Sequence, residues 1–232
     1  DTITREEEAQ ILDTIEKWLE RDVKDQVLAL DHADEYPHEM VQQMRELGLF
    51  GATISQAYGG MGLPSSTYAK IVTTISEVWM SLTGIFNSHL IMAAAVERYG
   101  TEQQKQRWLP QFPTGEIRGG LARTEPDGGT DLQAIRTHAV RDGDVYRING
   151  TKTWISNGIE GNCVALLVKT DTEIEPRHKG MSLFLAQKGP VFDVGRKLEK
   201  LGYKGIDSAE LIFDDYQISV DDLIGGEAGQ GF

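Results

Sequence analysis

Thr124, Thr130, Trp154 and Ser156 fall within one stretch, residues 121–158, that is dense in turn glycines and hydroxyls and holds a single tryptophan. In Thr124-Glu125-Pro126-Asp127-Gly128-Gly129-Thr130-Asp131, two adjacent glycines let the backbone pass close to a bulky ligand and present free N–H groups. That chemistry suits the wall of a pocket for an anionic group. Asp142-Gly143 and Asn149-Gly150 read as two hairpin turns, because these dipeptides tolerate the positive φ of a tight primed turn. Ile135, Thr137 and Ala139 alternate with polar neighbours, as do Tyr146 and Ile148, which is the spacing of strands with one packed and one wet face. The hydroxyls then lie at strand ends, and regular alternation puts Ser156 on the same side as Trp154.

The elements that position this stretch are helical before it and extended around it. Ile11, Leu12, Ile15, Leu19, Val23 and Val27 recur at three- and four-residue steps, so one amphipathic helix is expected from residue 4 to about 30, opened by a Thr4/Glu7 capping box. Pro37 opens a second with Met40, Val41, Met44 and Leu47 on one face, stopped by Gly48. Ser65 or Ser66 caps a third bearing Ile71, Val72, Ile75 and Val78. A fourth, over residues 81–99, is apolar nearly all round and therefore central to a bundle. Thr101 with Gln104 starts a short fifth that Pro110 and Pro113 end. From Ile117 the period changes from helix to strand, which places a domain boundary at Thr114-Gly115. Short runs at residues 164–168, 181–186, 192–194 and 209–213 read as further strands. The fold class is thus α+β, an N-terminal all-α helical bundle (residues 1–114) followed by a small antiparallel β-barrel or sandwich (residues 115–225).

Composition narrows the function. The 232 residues carry 23 Lys plus Arg against 36 Asp plus Glu, a net charge of −13 that would repel nucleic acid over most of the surface. With 40% hydrophobic residues and no apolar run of about eighteen, no membrane span is read. The one cysteine, Cys163, forms no internal disulfide, which favours a reducing compartment. The five histidines are scattered, without metal-ligand spacing. Asp1 in place of Met reads as a trimmed terminus. The glycine-rich residues 225–231 do not lie between a strand and a helix, so they are not a dinucleotide fingerprint.

Taken in order, Thr124-Glu125-Pro126, Gly129-Thr130-Asp131, Asn149-Gly150 and Trp154-Ile155-Ser156-Asn157-Gly158 resemble the acyl-CoA dehydrogenases. So do Tyr58-Gly59-Gly60-Met61-Gly62-Leu63, Arg98-Tyr99-Gly100-Thr101-Glu102-Gln103-Gln104-Lys105, Lys200-Leu201-Gly202 and Glu210-Leu211-Ile212-Phe213-Asp214-Asp215, which together span most of the chain. The resemblance implies FAD and α,β-dehydrogenation of an acyl-CoA thioester to the 2,3-enoyl-CoA, with electrons passed to an electron-transfer flavoprotein. It assigns flavin contacts to Arg123, Thr124, Gly129, Thr130, Trp154, Ile155 and Ser156. Asn87 and Leu90 are assigned to the acyl tail, and Thr130 to the pyrophosphate or the CoA chain. Arg177, in the basic group Arg177-His178-Lys179, is read equally as part of a solvated loop or as a grip on CoA phosphate. A dimer or tetramer, or a complex with a second chain, in the bacterial cytoplasm or the mitochondrial matrix, is the expected setting.

By the same resemblance the glutamate base belongs to a C-terminal helical domain, of which residues 226–232 are the start, so no catalytic residue is assigned within this segment. Glu125 and Asp131 are read as turn and capping residues rather than an acid–base pair. Arg123 stands where a small or apolar residue is usual, and Ser219 where proline is common. Two other outcomes stay open: an oxidase or monooxygenase of the same fold, and a non-catalytic CoA-binding or assembly module.

Overall fold

The computed structural model describes residues 3–189 and 192–232. Asp1, from which a trimmed terminus was inferred, lies outside them. Helix α1 (Arg5–Trp18) opens on the expected capping box, with Thr4 Oγ1 accepting from Glu7 N at 3.2 Å and the Glu7 carboxylate accepting from Thr4 N at 2.8 Å. The single helix expected to residue 30 is interrupted. A π turn (Leu19–Val23) and a 3₁₀ turn (Lys24–Gln26) precede α2 (Val27–Ala33). The cause lies in the spacing: Ile15, Leu19, Val23 and Val27 recur at strict four-residue steps, which overrun the α-helical turn by about 40° each. The wider π turn rotates the stripe back into register, and Leu19 and Val23 both stay buried.

After Pro37 comes α3 (His38–Glu46), which stops where Gly48 takes a φ of 79°. The third and fourth helices of the sequence reading are two halves of α4 (Ser65–Tyr99), joined at Trp79, whose φ of −157° and ψ of 103° are non-helical. Its cap position is Pro64, without a side-chain cap, rather than either serine. Length and composition alone would let α4 cross a membrane, yet Ile71, Ile75, Leu82, Phe86 and Met92 are buried at the centre of the helical core. Helix α5 (Glu102–Trp108) begins on the expected Thr101/Gln104 capping box.

Among the described residues seven strands follow: β1 (Gly119–Ala122), β2 (His138–Asp142), β3 (Val145–Ser156), β4 (Cys163–Lys169), β5 (Met181–Gln187), β6 (Phe192–Lys197) and β7 (Ser208–Ser219). They form one sheet in the order β1-β4-β2-β3-β7-β6, with β5 also paired to β4. The helical bundle and the small β-domain are thus those expected, but the sheet is mixed and curls into a half-barrel rather than being wholly antiparallel. β1 runs parallel to β4, from Gly119↔Cys163 to Ala122↔Leu166. Glycine makes this approach possible, since a Cβ on Gly119 would lie 1.8 Å from the Cys163 carbonyl oxygen.

β4 joins the two cores. Cys163 and Ala165 pack into the helical core, whereas Val164, Leu166 and Val168 pack into the sheet core. A strand covered on both faces needs an unbroken apolar run, and Cys163-Val164-Ala165-Leu166-Leu167-Val168 supplies it. The β2–β3 hairpin closes at Asp142↔Val145 with Gly143 at a φ of 65°, as read from Asp142-Gly143. Asn149-Gly150, in contrast, is not a turn. β3 runs straight through it, and the register against β7 shifts between Ile148 and Gly150. Gly150 takes a φ of 150° and sits against Thr137, where a Cβ would come within 2.3 Å of Oγ1. The same dipeptide chemistry serves a bulge instead of a hairpin.

Candidate functional site

Beyond Ala122 the chain leaves the sheet, and what holds it is a buried ion pair. Glu125 closes a tight turn with Gly128, the two exchanging N–H···O bonds at 2.8 and 3.1 Å. Its carboxylate accepts from Arg136 N at 2.6 Å, from Thr137 N at 3.0 Å and from Lys152 Nζ at 2.8 Å. Lys152 lies on β3 with 0% exposure and also donates to the Arg123 carbonyl at 3.0 Å. The next residue along β3, Thr153, donates its N–H to the Thr124 carbonyl at 2.8 Å. Two consecutive residues of β3 therefore hold three consecutive residues, 123 to 125, by their acceptors. The N–H groups of Arg123, Thr124, Gly129 and Thr130 have no acceptor among the described residues.

Burial alone would push the Glu125 carboxyl up, but the Lys152 ammonium and the N–H groups of Thr137 and Arg136 hold it below its ordinary value. Burial also pushes the Lys152 amine down, to about 8, against the pull of Glu125. The 2.8 Å contact between Lys152 Nζ and Glu125 Oε1 sets the mutual pull of the two groups against the cost of burying them. Asp131 caps the short turn at residues 132–134, accepting from Gln133 N at 3.1 Å. The buried Glu125 carboxylate, with three donors on it, is not left free for proton transfer in the manner of a general base.

Trp154 follows the clamp directly. It sits in the left-handed region at a φ of 59°, where the β3–β7 register shifts between Lys152 and Ile155, and the residue is 55% exposed. The bulge interrupts the alternation just before Trp154, where Lys152 and Thr153 are both buried; beyond it Trp154 is exposed, Ile155 buried and Ser156 half-buried. A bulky residue in the left-handed region is a genuine outlier, and such strain concentrates at binding sites. Asn157, also left-handed and 1% exposed, donates its side-chain amide to Ile85 O at 2.8 Å and to Gly119 O at 3.0 Å. The end of β3 is thereby pinned to α4 and to β1.

The residues expected from the sequence fall into three groups. Arg123, Thr124, Trp154, Ile155 and Ser156 are brought together by the clamp and by β1, where a Cβ on Gly120 would lie 2.6 Å from the Ser156 carbonyl oxygen. Gly129 and Thr130 are exposed on the following loop, and Arg177 joins them through Asp131, 3.9 Å from its guanidinium. Asn87 and Leu90 lie on α4 and line a cleft of about 490 Å³ together with Tyr68, whose hydroxyl donates to Asn87 Oδ1 at 2.7 Å. Arg123 and Leu132 border a larger cleft of about 750 Å³ facing Ile91, Ala95 and Tyr99 of α4. Ile91 borders both clefts.

Lys152 is the residue that the sequence reading passed over. Its charge suggests a solvent-facing position, but it shares the parity of the buried Tyr146 and Ile148 and pairs in register with Leu211, so the alternation of β3 itself turns it inward. Leu132 and Tyr99, which border the larger cleft, were likewise not singled out, because apolar residues at helix and turn ends carry no distinctive local signal.

Comparison with known proteins agrees in detail with this architecture. The family description "Acyl-CoA dehydrogenase, N-terminal domain" matches residues 5–116, and "Acyl-CoA dehydrogenase, middle domain" matches residues 120–216. The (2S)-methylsuccinyl-CoA dehydrogenase of Cereibacter sphaeroides is 36% identical over 84% of this chain and 37% of its own length. The crystal structure of an acyl-CoA dehydrogenase from Geobacillus kaustophilus superposes with a TM-score of 0.91 at 37% identity, covering 99% of this chain and 60% of that one. A glutaryl-CoA dehydrogenase from Mycobacterium smegmatis, solved in complex with FADH2, superposes with a TM-score of 0.83 at 25% identity, covering 98% and 57%. The chain thus spans between about a third and three fifths of the length of these relatives. The chain belongs to the acyl-CoA dehydrogenase family.

Proposed function

We propose that this chain supplies one wall of an FAD and acyl-CoA site in an enzyme that dehydrogenates an acyl-CoA thioester between its α and β carbons, passing electrons to an electron-transfer flavoprotein. The observation that carries the reading is the exposed Trp154 on its left-handed bulge, held next to backbone N–H groups at 123 and 124 that have no acceptor among the described residues. A flat tricyclic ring with a polar pyrimidine edge fits this arrangement: the indole offers an apolar face, and the amides are donors for carbonyl oxygens. When bound, FAD accepts the hydride from the β carbon.

In this reading Thr124 and the Arg123 backbone orient the pyrimidine end, Ser156 donates near the reactive edge, and Ile155 anchors the strand beneath Trp154. Gly129 and Thr130 meet the pyrophosphate or the CoA chain, Arg177 pairs with a CoA phosphate, and Asn87 and Leu90 line the acyl tail. Each neutral hydrogen bond contributes only about 0.5–1.5 kcal/mol, so these groups orient the ring more than they hold it. Glu125 and Asp131 are engaged by backbone donors, so we place the α-proton base on a C-terminal helical domain outside these 232 residues.

The test begins with flavin. Denaturing the purified native protein should release FAD, and its absence, together with no uptake of added FAD, would leave a non-catalytic module as the answer. Residues 1–232 alone should not oxidise acyl-CoA with an artificial acceptor, whereas adding the helical domain should give turnover. Ordinary turnover by residues 1–232 alone would mean that the base lies within them. Rapid reoxidation of the reduced enzyme by oxygen, rather than by an electron-transfer flavoprotein, would replace the dehydrogenase with an oxidase.

A further inference from the structure

We propose that the buried Lys152–Glu125 pair is the positioning device of the flavin wall, fixing the backbone of residues 123–125 at one spacing from Trp154. The inference rests on the flavin reading above and goes beyond it, since neither residue belongs to the assigned contacts.

The geometry supports it from three sides. First, Lys152 Nζ bridges two acceptors on one short segment, the Arg123 carbonyl at 3.0 Å and the Glu125 carboxylate at 2.8 Å. Second, Glu125 is itself fixed from behind by Arg136 N and Thr137 N, so the bridge ends on a rigid support. Third, Trp154 is two residues along the chain from Lys152, and two residues span at most about 7 Å. The free N–H groups of Arg123 and Thr124 are thus tied to the indole through one ammonium and one backbone bond, Thr153 N to Thr124 O.

A buried ion pair is by itself weak evidence of a purely stabilising role. Replacing a buried ion pair by apolar side chains of similar volume is often neutral or stabilising, whereas removing one partner is strongly destabilising. What an apolar replacement would lose here is the donor to the Arg123 carbonyl. β1 has ended at Ala122, so no strand neighbour takes over that role.

The test compares Lys152→Met with the double variant Lys152→Met/Glu125→Gln in the native protein. The single variant strands a buried carboxylate and should lower the melting temperature. The double variant removes that charge and should recover most of the loss. If the pair positions the flavin wall, the double variant still binds FAD at least tenfold more weakly than wild type and its bound flavin shows an altered absorption spectrum. In the flavin-free double variant, the Thr153 amide should exchange with solvent at least tenfold faster while β4–β5 amides keep their protection. Wild-type FAD affinity, spectrum and Thr153 exchange in a folded double variant would overturn the positioning role while leaving the flavin reading intact. A wild-type protein that takes up no FAD would overturn both.

Discussion

Trp154 allows the proposed site to be tested separately on ligand and on backbone. The residue is 55% exposed, and a tryptophan offers up to about 250 Å², so roughly 140 Å² is open for a ring to cover. A ring covering between half and nearly all of that area would contribute roughly 2–3 kcal/mol at about 25 cal/mol per Å², or about 30- to 150-fold in Kd. Trp154→Ala should weaken FAD binding by that factor, whereas Ser156→Ala should cost only about 2- to 12-fold, one neutral hydrogen bond. The backbone gives a second and independent readout. Within an ordinary strand glycine is less stable than alanine by about 0.5–1 kcal/mol, but at a φ of 59° the order should invert, because a Cβ in the left-handed region costs about 1–2 kcal/mol. Trp154→Gly should therefore be more stable than Trp154→Ala by about 1 kcal/mol in urea unfolding of the flavin-free protein, while both lose FAD equally. Fluorescence titration with FAD measures the first effect. An alanine variant as stable as the glycine variant would refute the strained bulge, and a flavin loss no larger than that of Ser156→Ala would refute the stacking role.

Two further outcomes follow from groups away from the site. His89 is fully buried between Phe50 and Phe112, with Nε2 3.1 Å from the Phe112 carbonyl, and burial pushes it down to about 4. The folded form stays neutral where the unfolded histidine, near 6.5, takes up a proton. This contribution is therefore complete above pH 6.5 and is lost as pH falls towards 4, about 2 kcal/mol of it between pH 7 and pH 5. Urea titrations at the two pH values should show that loss in wild type and a flatter response in His89→Asn; equal slopes would refute it. At Gly84 of α4 a Cβ would meet the Tyr203 hydroxyl oxygen at 1.8 Å and Cζ at 2.6 Å. Gly84→Ala should destabilise by about 1–3 kcal/mol through overpacking, and a thermal double-mutant cycle with Tyr203→Ala should recover part of it. Strict additivity would show that the two residues do not press on each other.

Features set by a few neighbouring residues were readable in the sequence. Both capping boxes, the stop at Gly48 and the Asp142-Gly143 hairpin need only residues within four positions of one another, and the structure has them all. What escaped depends on distant partners. Asn149-Gly150 signals a positive φ, which a hairpin and a bulge both use, and the choice is made by β7, whose Phe213 faces Gly150. Parallel pairing of β1 is hidden in Gly119-Gly120-Leu121-Ala122, too short and too small-sided to show any alternation. Trp154 is legible as an aromatic surface, but its bulge is not, and the burial of Lys152 depends on Glu125, a partner 27 residues away. The residues proposed for the site can thus be named from their local order, but the clamp that gathers their backbone cannot.

The pairing of β3 with β7 also bears on how the chain is made. Ser156 pairs with Ser208 and Val145 with Ser219, separations of 208 − 156 = 52 and 219 − 145 = 74 residues. During synthesis β3 therefore emerges with one flank bare, and that edge waits for β7. At about 5–20 residues per second the wait is roughly 3–15 seconds. Through that interval the helical half and the β2–β3 hairpin can form, while the strand bearing Lys152 and Trp154 presents unpaired N–H and C=O groups to any other nascent chain. Faster translation of residues 157–219 would shorten that exposure, and pausing within them would lengthen it.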